Sequence, residues 1–239
     1  MLPIATHRLL VRWRRRLFEL VGSDRYSRPG LNGLDRKLER HLDFDGGFFV
    51  EAGANDGVRQ SNTYWLERYR GWRGILIEPV PELARECRKN RPNATVVEAA
   101  LVERAGSADT IEMRFAGLMS TASGAFGARG ATEAHVAAGL QMEKLKTTYA
   151  VKVPARTLTQ VLQAANLQRE IHLLSLDVEG MEAAVLRGLD LDRFAPRMIC
   201  VETRTGSNIA EILGPRYDMV EVLADYETRR DVLYGRRKE

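Results

Sequence analysis

The sequence predicts a doubly wound α/β domain: a mostly parallel sheet with an antiparallel edge. Three observations carry this reading. Apolar runs of strand type, "FFVEAG", "GILIEP", "ATVVEAAL", "IHLLSLDVEG" and "RMICVET", alternate with helical patterns such as "PELARECRKNRP" and "GMEAAVLRGL". Alternation of this kind predicts parallel strands joined by right-handed crossovers, with helices covering both faces. The closing stretch "YDMVEVLADYETRRDVLYGRR" holds two strand patterns split by a short polar link, a hairpin that reverses the edge. Each of the five runs also ends in an acid or nearly so: Glu51, Glu78, Glu98, Asp177 and Glu202.

A chain of 239 residues has the length of one large domain. It reads as residues 46–239 behind a basic amphipathic helical extension, 1–45. The net charge is +4, yet Arg8, Arg12, Arg14, Arg15 and Arg16 stand among the first sixteen residues without an acid, so the remainder is near −1. That segment has no apolar run long enough to span a bilayer and no signal-peptide core. The expectation is a cytoplasmic protein. Leu9, Leu10, Trp13, Leu17 and Leu20 recur at helical spacing, so residues 1–21 either dock on their own domain or lie on an anionic membrane surface. Nucleic acid is not expected, because no aromatic and basic interleaving continues downstream. Cys87 and Cys200 have neither metal nor disulfide spacing and read as buried thiols in a reducing compartment.

After a polar link, "LDRKLERHLDF" reads as a helix ending at Gly46 and Gly47, and the first strand opens at Phe48. Residues 116–150, rich in Gly, Ala, Ser and Thr and without a lasting period, read as an acceptor-binding loop or lid. Order resumes at "VPARTLTQVL", where Thr157 and Gln160 have capping-box spacing.

Ligands of an open parallel sheet bind outside the carboxyl ends of the strands. Five acids along that edge predict a ligand with positive charge or several hydroxyls, since an unpaired buried carboxylate is costly. In "EAGANDG", Gly53 and Gly57 allow a tight turn and close backbone approach, but the spacing is not the dinucleotide fingerprint. Glu78, 27 residues after Glu51, is placed to accept from a ribose diol. Asp177 is the first choice for a base, while Glu179 and Glu182 orient an acceptor or share a divalent cation with it; otherwise the three stabilise a helix start. His172 lies roughly 16 Å from Asp177 along the strand and reads as structural. His135 is either a base that swings in or an ordinary exposed histidine. Asn62, on the helix after the glycine turn, reaches cofactor or acceptor, and Trp65 reads as core.

"VEAGANDG", "SNTYWLE", "GWRGILIEP" and "LLSLDVEGMEAAVLRG" resemble the FkbM family of S-adenosylmethionine-dependent methyltransferases over roughly residues 46 to 236. The resemblance implies a seven-stranded class I (Rossmann-like) methyltransferase fold and O-methylation of a hydroxyl on a glycan or secondary metabolite, releasing S-adenosylhomocysteine. It places Glu51, Gly53, Ala54, Asn55 and Gly57 about the methionine part of the cofactor. It sets Glu78 and Pro79 at the ribose, Glu98 and Ala99 at the adenine, and Asp177, Glu179 and Glu182 on the acceptor side. Ser120, Thr121 and Ser123 form the Ser-rich patch of the insert and read with Asn62 and His135 as acceptor contacts. Where the family pattern has an Asp, this chain has Thr159. Two further readings stand beside this one: a nicotinamide oxidoreductase on a similar sheet, and a non-catalytic cofactor-binding scaffold.

Overall fold

The structure, a computed structural model, describes residues 4–106, 109–123, 125, 129–204 and 206–237. The side chains of residues 4–9, with Arg8 and Leu9, lie outside the described set, as do positions 124 and 126–128 of the insert.

Helix α1 (Ile4–Leu20) leads into α2 (Leu34–Glu39). The latter ends well before the expected stop at Gly46, because bonds from His41 N–H to Leu38 O and from Leu42 N–H to Glu39 O tighten and finish its last turn. Then follow β1 (Phe48–Ala52), α3 (Tyr64–Tyr69), β2 (Arg73–Ile77), α4 (Pro81–Asn90) and β3 (Thr95–Val97). The run "ATVVEAAL" is not one strand. Glu98 and Ala99 carry the chain out of the main sheet, and β4 (Ala100–Leu101) pairs elsewhere.

The stretch read as a loop or lid is structured. With β5 (Thr110–Arg114) before it and β7 (Ala150–Arg156) at its end, it contains β6 (Thr121–Ala122) and the fifteen-residue α5 (Arg129–Glu143). The four short strands form a second sheet in the order β4-β7-β5-β6. Alanine-rich composition favours this helix without imposing an amphipathic period, which is why periodicity misses it.

The capping box closes on α6 (Leu158–Ala164) as expected: Gln160 N–H donates to Thr157 Oγ1 at 3.1 Å, and Thr157 N–H donates to Gln160 Oε1 at 2.9 Å. The remaining elements are β8 (Leu173–Leu176), α7 (Glu182–Arg187), β9 (Met198–Arg204), α8 (Ile209–Leu213), β10 (Tyr217–Asp225) and β11 (Arg229–Arg236). The main sheet runs β10-β11-β9-β8-β1-β2-β3. Pairs from β9 to β3 are parallel, whereas β11 is antiparallel to both β9 and β10, so the C-terminal hairpin makes the sheet mixed.

Side chains alternate between two cores. Phe48, Val50 and Ala52 of β1 face the layer of α6, α7 and α8, where Leu162, Val185 and Leu213 are buried. Phe49 faces the layer of α2, α3 and α4 with Leu38, Leu66 and Cys87. Trp65 belongs to this second core, and Cys87 and Cys200 are buried free thiols within it. His172 sits at the amino end of β1, where Phe48 N–H donates to its Nδ1 at 3.0 Å, remote from the carboxyl edge. Among the described residues no helix is long and apolar enough to cross a membrane.

Glu51 falls on the α4 side of β1 and would be an isolated buried acid but for Arg91. The Arg91 side chain is 1% exposed and stands 3.7 Å from Glu51. It donates to Glu67 at 2.7 Å, to the Gly57 carbonyl at 2.9 Å, and to Ser61 and Thr63. Arg91→Leu leaves Glu51 and Glu67 buried without their cation and is expected to lower stability by about 3–5 kcal/mol. Urea unfolding checks this, with Arg88→Leu as an exposed control expected to change less than about 1 kcal/mol.

Candidate active site

A cleft enclosing about 890 Å³, open mouth included, lies at the carboxyl ends of β1, β2 and β8. Its floor starts at Gly53. With φ at +83°, that residue adopts a conformation natural to glycine, and a β-carbon there would stand 1.8 Å from the Asp177 carbonyl oxygen. The turn after β1 thus crosses directly against the turn after β8. Gly57, φ +79°, is needed for a different contact: a β-carbon would press on Cys87 and Arg91, so it supports the loop from behind and does not line the cleft. Ala54, expected at the cofactor, is also turned inward, buried in the second core.

Glu51 lines the cleft, but its oxygens are engaged. They accept from Ser61 Oγ, Asn62 N–H and Thr63 Oγ1 at 2.7–2.8 Å, which ties the whole loop to the end of β1. Asn62 precedes α3 instead of lying on it; Nδ2 donates to Ser175 Oγ at 3.1 Å, while buried Oδ1 has no hydrogen-bond partner among the described residues. Asn55 takes φ +50°, which aims its N–H at Glu78 Oε2, 2.8 Å away.

Glu78 is buried at the end of β2, beside Pro79. Val80 N–H donates to its other oxygen at 2.9 Å. Among the described residues no basic side chain balances it, and burial pushes its carboxyl up to about 7 against the pull of those two amides, with Asp56 adding repulsion. Ala99 lines the cleft next to it. Glu98 does not: its carboxylate points outward, 3.4 Å from Arg88 on α4, because the chain turns there to leave the main sheet. The expected adenine contact therefore reduces to Ala99.

Asp177 opens into the cleft from the end of β8. Its carboxyl is held well above the usual range, first by the surrounding protein and then by the charges of Glu179, Glu202, Glu182 and Asp231. Glu202, at the end of β9, is pushed up to about 7 chiefly by burial, with Arg229 opposing. Glu179 adopts φ +51° in the turn and lies 3.2 Å from His135 Nε2 and 3.4 Å from Arg204. His135 is therefore half-buried against an acid of the β8 turn rather than freely exposed. Glu182 turns back to accept from the Val178 and Gly180 amides, 3.0 and 3.2 Å away, which organises the turn into α7 and takes it out of the cleft. The three acids of the "DVEGME" stretch thus do not converge as a cation site. Among the described residues, no group of three or more His, Cys, Asp or Glu side chains is placed to hold a metal ion.

The insert supplies a wall. Gly117, Leu118, Ser120 and Ala122 face the cleft, while Thr121 Oγ1 donates to the Glu179 carbonyl at 3.0 Å. Ser123, in the turn just past β6, faces away, with its Oγ donating to Glu112 at 2.9 Å. Sequence reasoning missed Arg59 and Gln60, Leu83, Met113 and Met181, all on the cleft wall. Arg59 pairs with Glu143 at the end of α5, 2.7 Å apart, and so straps the glycine loop to the insert. Its basic side chain just after the glycine turn was the one visible signal.

A glycine turn at the first strand, a buried acid after the second, and a reversed strand between the fifth and the edge define a Rossmann-like sheet of the class I methyltransferase kind. The family profile described as the methyltransferase FkbM domain matches residues 51–222, and the chain belongs to that family. It is a methyltransferase, which sets aside the nicotinamide oxidoreductase weighed from the sequence. No curated protein matches the chain. Among solved structures, a TehB-like SAM-dependent methyltransferase from Corynebacterium glutamicum is 12% identical, covering 98% of this chain and 100% of that one, at a TM-score of 0.41. An RNA methyltransferase from Salinibacter ruber in complex with S-adenosyl-L-homocysteine is 13% identical over 88% of this chain and 95% of its own, TM-score 0.43. A precorrin-6y C5,15-methyltransferase from Geobacter metallireducens shares 11% identity over 86% and 88%, TM-score 0.44.

Because Glu78 holds its proton more tightly in the folded protein than in the unfolded chain, its contribution favours folding most below pH 4.5 and is lost as pH rises to about 7. Glu202 acts in the same direction. Stability is therefore expected to fall between pH 5 and pH 8, and Glu78→Gln to remove on the order of 1–3 kcal/mol of that fall. Urea unfolding of both proteins at the two pH values measures it.

Proposed function

We propose that the protein transfers a methyl group from S-adenosylmethionine to a hydroxyl oxygen of a polyhydroxylated acceptor, a glycan or secondary metabolite. The observation that carries this reading is Asp177: an acid with a raised pKa, opening into the cleft across the Gly53 contact from Glu78. A general base works best when its pKa lies near the working pH, and burial has moved this carboxyl in that direction.

The residues present suit the cofactor. Glu78 keeps lone pairs for a diol beyond the two it gives to Asn55 and Val80, and the unpartnered Oδ1 of Asn62 suits an ammonium donor. Bound there, S-adenosylmethionine supplies an activated methyl group. Asp177 takes the proton of the acceptor hydroxyl onto its carboxylate as the oxygen becomes nucleophilic. Glu179, held by His135 and Arg204, presents an acceptor for further hydroxyls, and Ser120 on the insert wall, whose hydroxyl donates to the Gly117 carbonyl at 2.8 Å, keeps a lone pair for another. Alignment does most of the rest, since methyl transfer needs little beyond an in-line nucleophile. A cleft edge lined with acids suits a neutral polyol, whose hydroxyls donate, better than an anion.

Calorimetry with S-adenosylhomocysteine is expected to show saturable binding that Glu78→Ala abolishes and Asp177→Asn changes less than about threefold, while Asp177→Asn lowers kcat by about 10²–10⁴. Methyl-labelled cofactor and a panel of sugars and polyols test the acceptor class. Label recovered as a base-stable methyl ether supports the proposal; label on nitrogen, or as an ester, overturns it.

A further inference from the structure

We infer that α1 docks the protein on the surface of an anionic lipid bilayer. The helix is turned opposite to the usual arrangement, in which the apolar stripe faces the core. Its polar side meets the body. Arg12 bonds Asp56 at 3.1 Å, the glycine-loop acid; Arg15 is buried 3.5 Å from Glu19, which in turn accepts from Tyr64 at 2.7 Å and Ser27 at 2.8 Å. At about 100° per residue, Leu10, Trp13, Leu17 and Leu20 share the flank opposite Arg15. They are 53, 67, 62 and 81% exposed, and Val21, in the turn just past the helix, is 77% exposed. Four large apolar side chains in one solvent-facing row, with Val21 next to it, make a patch that isolated surface residues do not.

Charge selects the occupant. Arg14 and Arg16 flank the row on either side, both exposed, with the Arg14 guanidinium lying 4.1 Å over the Tyr26 ring; basic groups flanking an apolar row suit headgroups above an interface that the row enters. Beside the helix, Arg15, Arg16, Arg68, Lys89 and Arg91 line a cavity with only two acids, Glu19, shared by Arg15 and Arg68, and Glu67, bonded to Arg91, so cations outnumber acids there. A second copy of the chain fits less well. The 3-4-3 spacing of positions 10, 13, 17 and 20 is that of a coiled-coil seam, but it lasts two heptads and puts Arg14 and Arg16 at the flanking positions, where two copies would oppose like charges. This placement is independent of the methyl-transfer reading.

Trp13 reports the contact, because Trp65 and Trp72 are 6% and 0% exposed. Titrating the full chain with vesicles of phosphatidylcholine containing about 30% phosphatidylserine is expected to shift Trp13 emission to the blue saturably, with matching co-sedimentation and little response to phosphatidylcholine alone. Leu17→Glu and the pair Arg14→Glu/Arg16→Glu are each expected to weaken partitioning by on the order of tenfold to a hundredfold, while circular dichroism and S-adenosylhomocysteine binding stay as in the parent. Absence of any shift or sedimentation at low salt overturns the inference. So does a lipid-free dimer in analytical ultracentrifugation that Leu17→Glu dissolves, which would assign the row to a second copy.

Discussion

One buried cation organises the carboxyl edge. Arg91, at the end of α4, reaches under the glycine loop and meets Glu67 and the Gly57 carbonyl directly, with Glu51 at 3.7 Å. Replaced as a set by apolar groups, such a network is often no less stable, since desolvation offsets most of the attraction; what it provides is a single arrangement. Glu51, neutralised from below, can then collect Ser61, the Asn62 amide and Thr63, and the loop from Gly53 to Thr63 has one way to lie. From that follow the Asn55 amide aimed at Glu78 and the Asp56 carboxylate that receives Arg12 of α1.

The acids of the edge look alike in sequence and behave differently in the fold. Glu51 has a cation and three donors. Glu78 has two backbone amides and no cation, and Asp177 has neighbours of its own sign. Environment, not residue type, divides them into an anchored carboxylate, one held by backbone amides with its pKa pushed up to about 7, and one raised well above the usual range by burial and like charges. The protein tolerates two strained acids at one site, a local conflict of the kind expected where binding or chemistry occurs.

The insert changes how the site is closed. Its strands build a second sheet against β4 instead of hanging as a flap, and three ties hold it to the catalytic edge: Arg59 to Glu143, Thr121 to the Glu179 carbonyl, and His135 to the Glu179 carboxylate. The cleft is thus bounded on this side by a structured wall, with Gly117, Leu118, Ser120 and Ala122 facing it.

Period-two and helical patterns depend on neighbours a few residues away, so the sequence by itself determined the five main parallel runs, the closing hairpin, the capping box at Thr157 and the glycine turn. It also marked Glu78 and Asp177, because strand ends in such a sheet converge on one edge. Only the tertiary structure decided the rest. That Glu98 points to Arg88, that Glu182 folds back on its own turn, and that Ser123 faces away depend on where the backbone bends after each strand. The fifteen-residue helix inside the insert escaped detection because alanine and glycine leave no periodic mark, and its position is set by ion pairs spanning dozens of residues. The face that α1 turns to solvent was likewise undecidable locally: the stripe is visible in the sequence, but which side meets the body is settled by Arg12, Arg15 and Glu19 finding partners on another part of the chain.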